Sequence, residues 1–403
     1  MYDADIVRRG LDALEAMWLE NNAPENDPKL SILVARLHGQ SVDRLATGKT
    51  MSALEKLMRM LTLIRATGIS FGRSARKHVP TGAVYVNVGQ IMLALPFFMH
   101  WLRKRPDVVP VFMLHDVIPL EMPNHVDPSS VKHHAQMVKT AATYASALIV
   151  TTEHVKKMVG AAIARHRRTP LPTLAQALPV SDVFNSPPSE SRLTDVPYFV
   201  VCGSIEPRKN HLILLEVWRR LVRHMGHRAP HLVIVGSPGW SGAAILQKFE
   251  RCNETQGYIH AVSGLSSPAL THLLNGSVGL LMPSLNEGFG LPIVEAKRLG
   301  VPVIASDIPA HREVAGPEGR LLSADDPTVW FEAVLERATY PQPAVRIDDD
   351  RFMTATRYSQ TIMAFLDRCA FVRTAPFHAT TDAGPLGQTV DQAANGTFTP
   401  ALE

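Results

Sequence analysis

Cysteine is scarce: Cys202, Cys252 and Cys369 are the only three in 403 residues, and they lie far apart. That excludes a disulfide framework and the paired spacing of a zinc site, and it points to a reducing compartment. Charge is sparse too, at 19% of residues with a net of +4. So mild a basic excess gives no argument for nucleic acid as a partner. No Asp-x-Asp metal motif follows a strand, and Asp348, Asp349 and Asp350 read as a charge cluster at a helix start. The histidines include no His-Glu-x-x-His pairing, and the loop at 236–242 falls short of the Gly-x-Gly-x-x-Gly fingerprint for NAD. Long apolar runs are missing as well. Only residues 82–102 approach one, and Asn87, Gln90, Pro96 and His100 interrupt it, so strand, turn and buried helix fits better than a membrane span. The first residues lack the basic and apolar pattern of a signal peptide. The expected location is the cytoplasm.

What is present is enough apolar residue, 46%, for two sizeable cores, and a length that suggests two domains. Buried strands are expected at 83–88, 108–114, 147–151, 198–202, 231–235, 258–262, 277–282 and 302–305. Helical spacing falls at 131–144, 153–159, 328–337 and 351–370, among others. Strands alternating with helices predict an α/β fold with parallel sheets. The run 30–37 reads as a short strand and 73–78 as a loop. Residues 1–25 and 51–66 follow helical spacing, the first of these packed on the first domain. The Pro- and Ser-rich stretch 168–188 reads as a linker, and 371–403, without periodicity, as a disordered tail. The resulting division is a first domain over 1–180, a second over 181–350, a closing helix over 351–370, and the tail.

The chemistry gathers at strand ends. The strand at 277–282 stops at Pro283, and Ser284-Leu-Asn-Glu-Gly-Phe-Gly-Leu-Pro-Ile-Val-Glu295 follows. Pro292 suits the first turn of a helix, whose free N–H groups and positive dipole end attract an anion such as a phosphate. Glu287 and Glu295 bracket this turn. Beside a phosphate a carboxylate is repelled, so neutral hydroxyls, as on a sugar and a ribose, are their expected partners. The strand at 108–114 delivers His115 and Asp116 to its carboxyl end, where open α/β sheets bind ligands. After the strand 198–202 come Gly203 and Ser204, then Arg208 and Lys209, a fork and a point charge that can embrace a diphosphate.

The run Glu287-Gly-Phe-Gly-Leu-Pro-Ile-Val-Glu295, continuing to Gly300-Val-Pro-Val-Ile-Ala-Ser306, resembles the signature of the family-four retaining glycosyltransferases. The resemblance implies GT-B architecture: two Rossmann-like domains whose parallel sheets face each other across a cleft. It also implies a nucleotide-sugar donor. By that resemblance His115 contacts the donor sugar, Lys209 with Arg208 meets the phosphates, Glu287 holds sugar hydroxyls, and Glu295 binds the ribose. Gly288, Phe289, Gly290 and Leu291 then give backbone contacts, and the base lies near 264–268. Ser204 stands where several members carry an arginine, which moves the phosphate charge onto Lys209 and Arg208. With those cations and the helix start available, transfer is expected to need no metal and no cofactor.

Bacterial relatives with His-Asp and Glu-Pro-Arg-Lys-Asn build surface polysaccharides on lipid-linked intermediates. That implies a hexose donor, GDP-mannose ahead of UDP-glucose, and a saccharide or polyprenyl-linked acceptor. The basic groups at 73–77, 103–105 and 165–168 suggest peripheral contact with an anionic membrane, at the inner face of the cell membrane. The N-terminal end departs from the family, which usually opens with a strand and a glycine-rich acceptor loop. A second reading is therefore a GT-B-like protein without catalysis that binds a nucleotide sugar or a partner enzyme.

Overall fold

The computed structural model describes residues 8–9, 11–13, 27–40, 58, 60–62, 74–185, 193–340 and 352–374. Most of the helical stretches read at 1–25 and 51–66, the linker end at 186–188, the acidic run 348–350 and the tail beyond 374 lie outside the described residues.

The helix at 28–37 corrects two expectations. Residues 30–37 belong to a helix, α1 (Pro28–Leu37), not a strand. Its N-cap Asp27 accepts a hydrogen bond from Lys29 N at 2.9 Å, and Pro28 occupies the first turn. Moreover, α1 packs on the second domain: Leu30, Leu33 and Leu37 sit in one core with Val233, Val235 and Leu273.

The first sheet has the order β1 (Val84–Asn87), β2 (Val109–Met113), β3 (Ala147–Val150), β4 (Thr173–Ala175), and every pairing is parallel. Val-, Ile- and Leu-rich runs buried on both faces suit strands covered by helices on either side. Phe112 and Leu148 face α2 (Pro128–Tyr144) and α3 (Glu153–Ala164) through Met137, Ala141 and Val159. On the other face, Val109, Val111 and Ile149 are covered by Phe365 of the last helix. The strand β4 falls inside the stretch read as linker, where it pairs with β3 through Leu148, Ile149 and Val150. Residues 75–78, read as a loop, form one helical turn. The expected buried helix before residue 102 is broken by Pro96 into Gln90–Ala94 and a 3-10 segment, Pro96–Lys104. Leu93 and Met99 are buried there, but Ile91 is 79% and Phe97 60% exposed.

The second sheet has six parallel strands in the order β10-β9-β8-β5-β6-β7. They are β5 (Tyr198–Cys202), β6 (His231–Val235), β7 (Ile259–Val262), β8 (Gly279–Met282), β9 (Val303–Ser306) and β10 (Arg320–Leu322). The helices between them are α4 (His211–Met225), α5 (Gly242–Glu250), α6 (Ser267–Asn275), α7 (Leu291–Arg298), α8 (Pro309–Ala315) and α9 (Pro327–Thr339). One core lies under α4 and α9, with Trp218 and Trp330 fully buried, and the other under α6 and α7. The final helix, α10 (Ala355–Thr374), returns to the first sheet and runs four residues past the end expected from sequence. Among the described residues, no helix is long and apolar enough to cross a membrane.

Candidate active site

Because β5 and β8 are neighbours, residues 78 apart in sequence meet at their carboxyl ends. Glu287 follows β8 and is only 7% exposed. Its Oε1 accepts from Lys209 Nζ at 2.5 Å and from Ser284 Oγ at 2.7 Å, and its Oε2 accepts from Arg208 at 3.1 Å. Arg208 also donates to Asn286 O at 2.9 Å and to Glu206 at 2.7 Å. Burial would raise the Glu287 carboxyl, but the two cations, with the hydrogen bonds from Lys209 and Ser284, outweigh it and hold it at about 2. The carboxylate is thus ionised and fully engaged by charge. Lys209 and Arg208, expected to meet phosphate, both engage Glu287, the residue expected to hold sugar hydroxyls.

The remaining residues singled out from sequence take different places. Ser204 is exposed and donates to Glu206 at 2.9 Å, outside hydrogen-bond contact with Glu287. Gly290 is the N-cap of α7 with φ +95°, and Leu291 is its first residue. Phe289 is buried and lines a cavity of about 240 Å³ with Leu178, Val294 and Met353. None of His115, Lys209, Glu287 or Glu295 lines that cavity. Glu295 sits one turn into α7, where burial pushes its carboxyl up to about 7.

His115 comes from the other domain, and the structure brings it to the same point. A Cβ on Gly288 would stand 2.8 Å from His115 O and 3.1 Å from Asp116 Cβ, so the two loops touch backbone to backbone. Only a glycine permits that approach. Thr151, at the end of β3, clamps both sides: its hydroxyl lies 2.8 Å from Gly288 O and 3.2 Å from His115 O. Two further contacts cross the domains. Asn286 donates to Glu121 at 2.9 Å, and Glu313 of α8 accepts from Glu153 N and His154 N, at 2.8 and 2.7 Å, capping α3.

Sequence reasoning assigned no role to Ser284 or Glu206, whose partners lie two or three residues away, nor to Thr151, Asn286 or Glu313, whose partners only the tertiary fold supplies. It also passed over two buried histidines near Lys209. Burial, with the Lys209 charge second, lowers His211 to about 4, and burial lowers His311 as well. His311 Nδ1 meets Ser306 O at 2.9 Å. Among the described residues no three His, Cys, Asp or Glu side chains are grouped to hold a metal ion. The arrangement as a whole presents two cations and a helix start beside a carboxylate, under a histidine-bearing strand end of a facing domain. It suits an anion carrying a polyhydroxylated group.

Comparison with known proteins agrees. Residues 196–339 match the family model described as glycosyl transferases group 1. A 248-residue stretch is 29% identical to the serotype-specific mannosyltransferase WbdA of Escherichia coli, covering 58% of this chain and 30% of that protein. A 129-residue stretch is 34% identical to O-antigen chain mannosyltransferase B of Escherichia coli, covering 32% of this chain and 33% of that protein. The chain thus spans about a third of the length of these relatives. Among solved structures, the sucrose-phosphate synthase of Thermosynechococcus elongatus superposes with a TM-score of 0.54 at 17% identity, covering 83% of each chain. Anabaena Alr3699/HepE in complex with UDP and glucose superposes at 0.55 with 16% identity, covering 79% of this chain and 84% of that one. The chain has the GT-B fold, and its residues 196–339 are similar to the group 1 glycosyl transferases.

Proposed function

We propose that this chain is a retaining glycosyltransferase that moves a hexose from a nucleotide sugar to a saccharide or polyprenyl-linked acceptor in surface polysaccharide synthesis. Mannose from GDP-mannose is the preferred donor, ahead of glucose from UDP-glucose; the two mannosyltransferase relatives favour that choice. The observation that carries the reading is the Lys209–Glu287–Arg208 cluster, set at the α7 start and directly beneath the His115 strand end.

In this reading the diphosphate lies on Lys209, Arg208 and the N–H groups of α7. They neutralise the charge that grows as the leaving group departs, without a metal ion. Glu287, relieved of its cations by the phosphates, turns to the sugar hydroxyls and supports positive charge developing at the anomeric carbon. Glu295, poised near neutrality, binds the ribose, and His115 contacts the sugar from the opposite domain. The departing phosphate helps deprotonate the acceptor on the same face, which retains configuration. Contacts across Gly288 exclude water as a competing acceptor.

Peripheral membrane contact at the inner face belongs to the same reading. Val88, Ile91 and Phe97 are exposed together after β1, and exposed Arg103 and Lys104 follow, with no acidic residue from 88 to 104.

The test is hydrolysis and binding of a panel of nucleotide sugars by the purified protein, with and without EDTA. Slow hydrolysis of one donor, unchanged by EDTA and abolished in Lys209→Ala, supports the reading and names the sugar. Binding without turnover, even with membrane extract as acceptor, would move the chain to the non-catalytic class.

A further inference from the structure

The loops at the carboxyl ends of the second sheet run in the order of its strands, β9, β8, β5, β6, β7. The cations lie after β5 and the anion-binding helix start after β8. On the β8 and β9 side the first domain already closes the cleft, through Thr151 on Gly288 and through Glu313 of α8 on the start of α3. On the donor reading above, which sets the base near 264–268, a nucleoside attached to phosphates at Lys209 extends over β6 toward β7. Two strand spacings, roughly 10 Å, separate β5 from β7, a distance a nucleoside spans. The outermost loop it reaches is 263–266.

That loop is fastened by a segment more than two hundred residues away. Lys29 Nζ donates to Gly264 O at 2.9 Å. Asp27 splits its carboxylate between two helix starts: Oδ1 accepts from Lys29 N at 2.9 Å and Oδ2 from Ser266 N at 2.9 Å. Ser266 is itself the N-cap of α6. Gly264 holds φ +68°, and a Cβ there would lie 2.5 Å from Lys29 Nζ, so a side chain at this position would displace the lysine. Behind these contacts α1 is anchored at both ends. Leu33 is 2% exposed in the second-domain core, and at the far end His38 Nε2 meets Thr194 Oγ1 at 3.2 Å.

We propose that α1 is part of the donor site: Asp27 and Lys29 are positioning residues that hold loop 263–266 in the shape that receives the base of the nucleotide. This rests on the donor-binding reading above. It also gives the unusual N-terminal segment a task on the donor side of the cleft.

The experiment is calorimetric titration of the full-length protein with GDP and with UDP, for the wild type, Lys29→Ala and Lys29→Arg, alongside thermal unfolding. In Lys29→Ala the preferred nucleotide should weaken about tenfold and the other less, so that the preference narrows. Lys29→Arg, which keeps a donor for Gly264 O, should restore most of it. If both nucleotides weaken by one factor, or neither changes, α1 only supports the fold and the inference is overturned. A wild type that binds neither nucleotide overturns the donor reading itself.

Discussion

Replacing Glu287 with glutamine tests the division of labour at the site most directly, since it removes the charge and keeps the shape. The carboxyl moves from an ordinary 4.5 to about 2 on folding, because Lys209 and Arg208 outweigh the cost of burial. A group whose folded value is depressed stabilises the protein above its unfolded value, and that contribution is lost as pH falls from about 4.5 to 2. At neutral pH it is worth ~3 kcal/mol, which Glu287→Gln forfeits, along with the acid sensitivity in that window. Binding should move the opposite way. With the carboxylate gone, Lys209 and Arg208 no longer spend their charge on a side chain, so a nucleoside diphosphate should bind as tightly as before or severalfold tighter. Turnover should fall on the order of a hundredfold or more, the usual consequence of deleting one group that acts on transition-state charge. Thermal unfolding from pH 3 to 8, calorimetry with the diphosphate, and donor turnover measure the three quantities. Equal losses of affinity and turnover would refute the reasoning, for Glu287 would then only hold the phosphate-binding cations in place.

Gly288→Ala should drive the two domains apart, because its Cβ would meet His115 O at 2.8 Å. A stability loss of about 1–3 kcal/mol and a fall in turnover are expected, read by thermal unfolding and donor hydrolysis. Glu313→Ala removes the cap that joins α8 to the start of α3. It should cost about 1 kcal/mol and enlarge the molecule measurably in small-angle scattering, by loosening the interdomain contact. Glu295 has the opposite sign to Glu287: burial raises it to about 7, so the folded protein holds a proton that the unfolded chain has lost. Wild-type stability should therefore decline as pH rises from about 4.5 through 7, and Glu295→Gln should flatten that decline in a pH series of unfolding curves.

Elements that are buried on both faces were the legible ones. The runs at 198–202 and 231–235 are uninterrupted and apolar, and they form β5 and β6 with those bounds. The same rule misread 30–37, since a short apolar run does not distinguish a strand from a helix that buries one face. The signal that decides the matter was Asp27-Pro28, an N-cap followed by a first-turn proline. The strand β4 was hidden by its length and by the prolines around it; as an edge strand it needs little pattern. At the site, the identity of Lys209, Glu287, Glu295 and His115 as notable residues was legible. Their pairing was not, because nothing local links residues 78 apart until β8 is known to lie beside β5. The cross-domain clamps at Thr151, Asn286 and Glu313 were illegible for the same reason.

On the proposed reading, the charges at the site link binding to chemistry. Lys209 and Arg208 carry two positive charges, and Glu287 and Glu206 two negative ones, linked in one chain of hydrogen bonds from Lys209 through Glu287 and Arg208 to Glu206. His211, lowered to about 4, adds no charge at neutral pH. A cluster balanced in this way offers a passing anion little attraction unless the anion displaces a carboxylate. A monophosphate with nothing else to offer gains only that exchange. A nucleotide sugar also brings hydroxyls to the carboxylate it displaces, while Ser284 keeps hold of Glu287 Oε1. On the proposed reading, the site is charged correctly for catalysis only when phosphate and sugar arrive together, and the exchange that selects the donor would also aim Glu287 at the sugar.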